Sequence, residues 1–173
     1  MADAQPDSRS TPESLGSMLA RLAGLIASEN FPNADRAALK RMDPEHEPPL
    51  AFYRFAMRHL PEGWQRQNRQ WQTMLQGVAL MSPKIHDPAL PFGRALAENR
   101  YSETRLERLL ATRDESHRAL LLRAIRFLAA KKLACDWRDI ARLLLIRDEE
   151  KREAQHMKIA TDYYRNQPEY NEE

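Results

Sequence analysis

The sequence predicts an all-α protein, a helical bundle of two packed subdomains. Apolar residues recur at three- and four-residue spacing in segment after segment, the pattern of helices that bury one stripe. Glycine is scarce, five in 173 residues, while Leu, Ala and Arg are abundant, a composition that favours helix. No period-two alternation is long enough for a strand, and no internal repeat is visible.

Residues 1–13 are polar, rich in Asp, Ser and Pro, and read as a disordered acidic N-terminus. The N-terminal subdomain, 14–82, opens with a helix over about 14–28 whose stripe is Leu15, Met18, Leu19, Leu22 and Ile26. Phe31-Pro32-Asn33 ends it and starts a short helix carrying Arg36, Lys40 and Arg41. The proline-rich run 43–49 excludes helix and is a loop. A helix over about 50–60 carries Phe52, Tyr53, Phe55 and Leu60. Pro61-Glu62-Gly63 then turns the chain into a longer helix, about 64–81, with Trp71, Met74, Leu75 and Val78 inward and Arg66 and Arg69 in its first turns.

Residues 82–91 hold three prolines and form the subdomain boundary. The C-terminal subdomain, 91–165, begins with a helical turn opened by Pro91-Phe92-Gly93 and broken near Asn99. Ser102 caps the next helix, and Tyr101 with Leu106 occupies the two positions of a hydrophobic staple. Leu106, Leu109 and Leu110 are its stripe, with Arg105 and Arg108 on one edge and Glu103 and Glu107 on the other. The helix over about 115–134 is apolar around most of its circumference, so it is expected at the centre of this half. Its one cool strip runs through Ala119, Arg123, Arg126 and Ala130. Asp136 caps a helix with Trp137, Ile140, Ala141 and Leu144 inward and Arg138 and Arg142 opposite. Asp148-Glu149-Glu150 suits the start of a last helix, or a continuation of the one before. Residues 166–173 form an acidic tail.

The formal net charge of +2 hides an asymmetry. Over residues 1–35, Arg9 and Arg21 stand against Asp3, Asp7, Glu13, Glu29 and Asp35, and the tail holds only Glu169, Glu172 and Glu173. The body between is therefore basic, as a chain that touches a polyanion would be. No apolar run is long enough to span a membrane, and no secretory signal opens the chain. The lone Cys135 has no partner for a disulfide, which suits a small buried residue in a reducing cytoplasm.

Catalysis finds no support. His46, His59, His86, His117 and His156 stand at no metal-ligand spacing, and the isolated glycines form no phosphate loop. No metal and no cofactor are expected. Glu103 and Glu107 share a face, but arginine partners or solvent explain them better than acid–base work. What remains is arginine: Arg94, Arg105, Arg108, Arg123, Arg126, Arg138 and Arg142 in the second half, and Arg36, Lys40, Arg41, Arg66 and Arg69 in the first. Arg in preference to Lys suits forked hydrogen bonds to phosphate oxygens. Without a dense aromatic–basic platform, phosphate tracking fits better than reading of unstacked bases.

The spelling of one stretch narrows the function. Gly93-Arg94-Ala95-Leu96-Ala97, followed by the run from Ser102 to Leu110, resembles the signature of the CasB family, the small subunit of the type I-E CRISPR surveillance complex, Cascade. Other segments agree in order: the run from Asp35 to Arg41, Ala51-Phe52-Tyr53-Arg54, Gly63-Trp64, Asp136-Trp137 with Ala141-Arg142-Leu143-Leu144, and Asp162-Tyr163-Tyr164. The resemblance covers about 33–165. It implies an all-helical, non-catalytic protein, two copies of which line the backbone of crRNA-binding subunits alongside the large subunit. There they hold crRNA with target DNA and present basic residues to the displaced single strand, in antiviral defence. By motif, Arg94, Arg105, Arg108 and Arg142 are the first expected contacts, then Arg41 and Arg66 or Arg69. Two alternatives remain from the residues alone. One is a DNA-binding transcriptional regulator using 136–147 as recognition helix, although the apolar stripe there and the lack of a short Gly turn oppose it. The other is a protein–protein adaptor with incidental arginines.

Overall fold

A computed structural model describes residues 12–168. The N-terminus expected to be disordered over 1–13 lies almost wholly outside the described residues, as does most of the acidic tail over 166–173. The described chain is all-α: α1 (Leu15–Ala27), α2 (Asn33–Lys40), α3 (Leu50–His59), α4 (Asn68–Met81), α5 (Phe92–Glu98), α6 (Glu103–Ala111), α7 (Asp114–Ala130), α8 (Trp137–Leu145) and α9 (Glu149–Arg165). Among the described residues the only extended pairing is an isolated bridge between His86 and Cys135.

Side chains start several helices where the sequence places them. Ser14, Ser102, Asp136 and Asp148 each accept a hydrogen bond from a first-turn amide, which satisfies one orphan donor per helix. Asp148 settles the last segment as a separate helix. Two boundaries differ from expectation. The helix expected over 64–81 opens as a 3-10 turn, Trp64–Gln67, because Gln67 at φ −128° and ψ 42° leaves helical space before α4 begins. The helix expected over 115–134 ends at Ala130: Lys132 takes a left-handed φ of 55° and turns the chain, although the apolar pattern continues through Leu133.

The most enclosed helix of the described chain is α4, in the first half. Every residue from Trp71 to Ala79 is buried, including Gln72, Thr73 and Gln76. Trp71, Met74, Leu75 and Val78 each contribute about 1.5–3 kcal/mol of apolar burial. The helix is enclosed because α2 and α7 pack against it, with α1 and α8 closing the remaining sides. Polar residues on all-round buried helices defeat a hydrophobicity count. Thr73 Oγ1 returns its proton to Arg69 O at 2.8 Å, and Gln76 Nε2 donates to Lys40 O at 3.1 Å.

Residues 82–91 are tied to the start of α8. The Asp87 amide donates to Cys135 O at 2.9 Å, the Asp136 amide to Leu90 O at 2.7 Å, and the Trp137 amide to His86 Nδ1 at 3.0 Å. One core runs from Met18 of α1 to Tyr163 of α9, so the two halves share it. Cys135 lies in that core, and burial pushes its thiol pKa well up. A maleimide should therefore label Cys135 only in denaturant; rapid labelling of the native protein would show that this segment opens.

α5 and α9 pack closely, backbone against backbone at Gly93. A Cβ on Gly93 would stand 2.3 Å from Ile159 O, so only glycine lets the backbones meet. Asp139, fully buried on α8, locks the same corner. It accepts from the Phe92 amide at the start of α5 at 3.1 Å, from Gln155 at 3.2 Å and from Lys158 at 3.0 Å. The Tyr163 hydroxyl donates to Tyr101 O, holding the turn between α5 and α6.

Candidate nucleic-acid interface

α6 and α7 present the arginine edge. The Ser102 cap and the buried Tyr101 and Leu106 set how the chain enters α6, leaving Arg105 and Arg108 exposed. The Arg105 guanidinium lies 6.0 Å from the centre of the Tyr101 ring. That ring packs edge-on against Phe127 of α7 at 5.1 Å, and the Lys131 ammonium sits 5.2 Å from the Phe127 centre. Burial raises the Tyr101 pKa, while Arg105 and Arg123 both pull it down. Two helices therefore bring their cations around one tyrosine. The strip Ala119, Arg123, Arg126 and Ala130 is exposed throughout, as the wheel predicts. Beside it, Arg123 and Arg126 line a hollow shared with residues 42–46, Gln76 and Arg118.

The other expected contacts divide by what already holds them. Arg94 of α5 pairs with Glu98 at 2.6 Å. Arg138 is clamped onto Asp136 by Nε at 2.9 Å and Nη2 at 2.7 Å. Arg69 donates to the carbonyls of Pro44 and His46 at 2.7 and 3.2 Å, fixing the loop between α2 and α3. These three serve the fold, and only the exposed Arg94–Glu98 pair exchanges at small cost, about 0–1 kcal/mol. Arg41, Arg66, Arg105, Arg108, Arg123, Arg126 and Arg142 make no ion pair with any described residue. Arg41 follows α2 and is exposed, next to the hollow's Met42. Arg66 is exposed on the 3-10 turn, where its carbonyl accepts from Arg147 Nη2 at 3.1 Å. Arg142 is half-buried on α8.

Residue spacing alone missed two groups. Arg118 locks onto Glu45 by two bonds of 2.6 and 3.0 Å, tying α7 to the loop between α2 and α3; nothing local in the sequence signals that pair. Lys131 was legible as a cation at a helix C-terminus, where the dipole favours it. Against base reading, Tyr101 is 4 % exposed and offers no ring face to stack on. α8 buries Trp137, Asp139, Ile140, Ala141, Leu143 and Leu144, leaving no free face to enter a major groove.

Among the described residues no group of three or more His, Cys, Asp or Glu could hold a metal ion. No helix is long and apolar enough to cross a membrane. His117 is held neutral. Burial depresses its pKa most, with His156, Arg113 and Arg152 adding to the shift, against a bond from Nδ1 to Leu109 O. A depressed native pKa stabilises the fold above the unfolded value of 6.5, and that stability is lost as pH falls below it. Melting temperature should therefore drop between pH 7.5 and 5.5, and less steeply in His117→Gln; an equal slope in both would remove His117 from the titration.

The family model for CRISPR-associated protein Cse2 matches residues 35–164. No curated protein matches the chain.

Proposed function

The chain belongs to the family of CRISPR-associated protein Cse2, the Cascade small subunit called CasB above, and from that membership we propose that it is a non-catalytic scaffold in the complex. It holds crRNA paired with target DNA and steadies the displaced single strand through arginine–phosphate contacts. The observation that carries this is the convergence of Arg105, Arg123 and Arg126 from two helices on one exposed face, without a carboxylate partner among the described residues. Free guanidiniums suit a phosphate backbone, and the burial of Tyr101 beneath them suits sequence-independent holding. Arg105, Arg108, Arg123 and Arg126 are the principal contacts, with Lys131 beside them. Arg41, Arg66 and Arg142 contact the strand or a neighbouring subunit from the other faces.

Two copies act in each complex, next to the crRNA-binding backbone subunits and the large subunit, in the cytoplasm. The division into halves 14–82 and 91–165 belongs to the same proposal, each half offering its own basic surface. Co-expression with the other subunits and a guide RNA, followed by purification through a tagged backbone subunit, tests it. The chain should co-purify in stoichiometric amount, and a complex that assembles and binds its target equally well without the chain would refute the role.

A further inference from the structure

A cavity of about 250 Å³ lies between the first turns of α7 and α9, walled on its apolar side by Leu143 and Leu144 of α8. Arg113, Arg118, Arg152, His117 and His156 line it, against one lining carboxylate, Asp114. The guanidiniums are held in place by other groups. Glu45 grips Arg118, while Glu149 accepts from Arg152 Nη1 at 2.9 Å and from Arg113 Nη2 at 3.4 Å. Arg118 Nη1 and the Nε atoms of Arg113 and Arg152 have no partner among the described residues, so donors remain. α7 starts here without a side-chain cap, which leaves first-turn amides unsatisfied.

His117 supplies the independent sign of a ligand. It is 8 % exposed, Nδ1 faces the Leu109 carbonyl at 3.1 Å and must carry the proton, and Nε2 is buried with no partner. A buried polar atom left without a partner is uncommon enough to need a reason. Burial lowers the pKa of both histidines most, and Arg113 and Arg152 lower both further, so both guanidiniums act on both rings.

We propose that this cavity is a phosphate-binding pocket in which Arg113, Arg118, Arg152 and His117 take a protonated phosphate, either the terminal monoester of a nucleic-acid strand or the free ion in solution. Guanidinium forks donate to phosphate oxygens, and Nε2 accepts from the protonated oxygen that free phosphate or a terminal monoester keeps and a backbone diester lacks. The volume admits a phosphate with several waters at about 30 Å³ each. Arg118 also lines the hollow beside Arg123 and Arg126, so the phosphorylated end of a strand following α7 reaches the pocket. Only that strand source rests on the function proposed above.

The test is titration of the isolated protein with inorganic phosphate at constant ionic strength, followed by calorimetry and by imidazole resonances. Saturable binding at one site per chain is expected, with the His117 resonances shifted. Arg152→Gln, checked for folding by circular dichroism, should weaken binding about tenfold or more. A short 5′-phosphorylated single-stranded oligonucleotide that displaces phosphate, where its unphosphorylated counterpart does not, identifies a strand end as source; failure to displace leaves free phosphate as the ligand. If Arg152→Gln does not fold, the wild-type resonances decide alone. Absence of saturable binding, or binding that leaves His117 unshifted, overturns the pocket. Arg105→Glu with Arg123→Glu leaves this pocket intact, so it and the strand-holding surface fail separately.

Discussion

Reversing Arg105 and Arg123 together, as Arg105→Glu with Arg123→Glu, should sharply weaken target-DNA binding by the assembled complex while the chain stays folded. Both side chains are exposed and form no ion pair among the described residues, so their loss removes no more than the Arg105 contact with the Tyr101 ring. Each lost phosphate contact flattens the dependence of log K on log salt by roughly 0.7–0.9, so two losses give a slope change that titration resolves easily. The loss should be the same for unrelated targets, because guide pairing reads sequence while the protein holds backbone. Glu107→Gln is the control: it is exposed on the opposite edge of α6 and should leave binding unchanged or slightly stronger. Glu103 is a poor control, because its carboxylate accepts from the Tyr164 hydroxyl. The measurement is affinity at several salt concentrations on two unrelated targets. Unchanged affinity and slope in a folded, assembled mutant would take this face out of the contact surface, and a loss confined to one target would point to a sequence-reading regulator.

Which arginines were free to bind could not be seen in the sequence, though the face that carries them could. The Ser102 cap, the Tyr101–Leu106 staple positions and the cool strip on α7 are all local signals, set by residues within a turn or two of each other, and the structure keeps them. Arg138 and Arg69 look equally available on a helical wheel. Arg138 curls onto its own cap residue, Asp136, and Arg69 reaches carbonyls in a loop far earlier in the chain. The Arg118–Glu45 pair joins positions 73 residues apart, which no window spans. The same limit hid how fully α4 is enclosed. Gln72 and Gln76 lie outside its apolar stripe, yet both are buried once neighbouring helices pack around it. The pocket on His117 likewise needs α4, α7, α8 and α9 brought together before it exists.

Gly93→Ala should be the most destabilising of the small substitutions, although it raises helix propensity. In α5 the change gains up to about 1 kcal/mol of propensity. Against that, the added methyl meets Ile159 O at 2.3 Å, Asp162 Cβ at 3.1 Å and the Tyr163 amide nitrogen at 3.1 Å. The nearest atom is backbone of a long helix and cannot rotate away, so α5 and α9 must separate. Overpacking of this kind costs typically 1–3 kcal/mol, and separating the helices also strains the Asp139 bond to the Phe92 amide and the Tyr163 bond to Tyr101. A net loss of about 2 kcal/mol is expected, which for a chain of this size lowers the melting temperature by roughly 4–8 °C. Gly24→Ala is the matched test, since glycine there sits inside α1 and an added methyl would find nothing within 4 Å. It should gain about 0.5–1 kcal/mol from propensity alone. Urea unfolding of both variants checks the pair, and a Gly93→Ala protein as stable as Gly24→Ala would show that α5 and α9 do not meet this closely. Because α9 also holds the turn that carries Tyr101, Gly93→Ala should weaken DNA binding only as far as it loosens α6. Its salt slope, unlike that of the arginine reversal, should stay unchanged, since no phosphate contact has been removed.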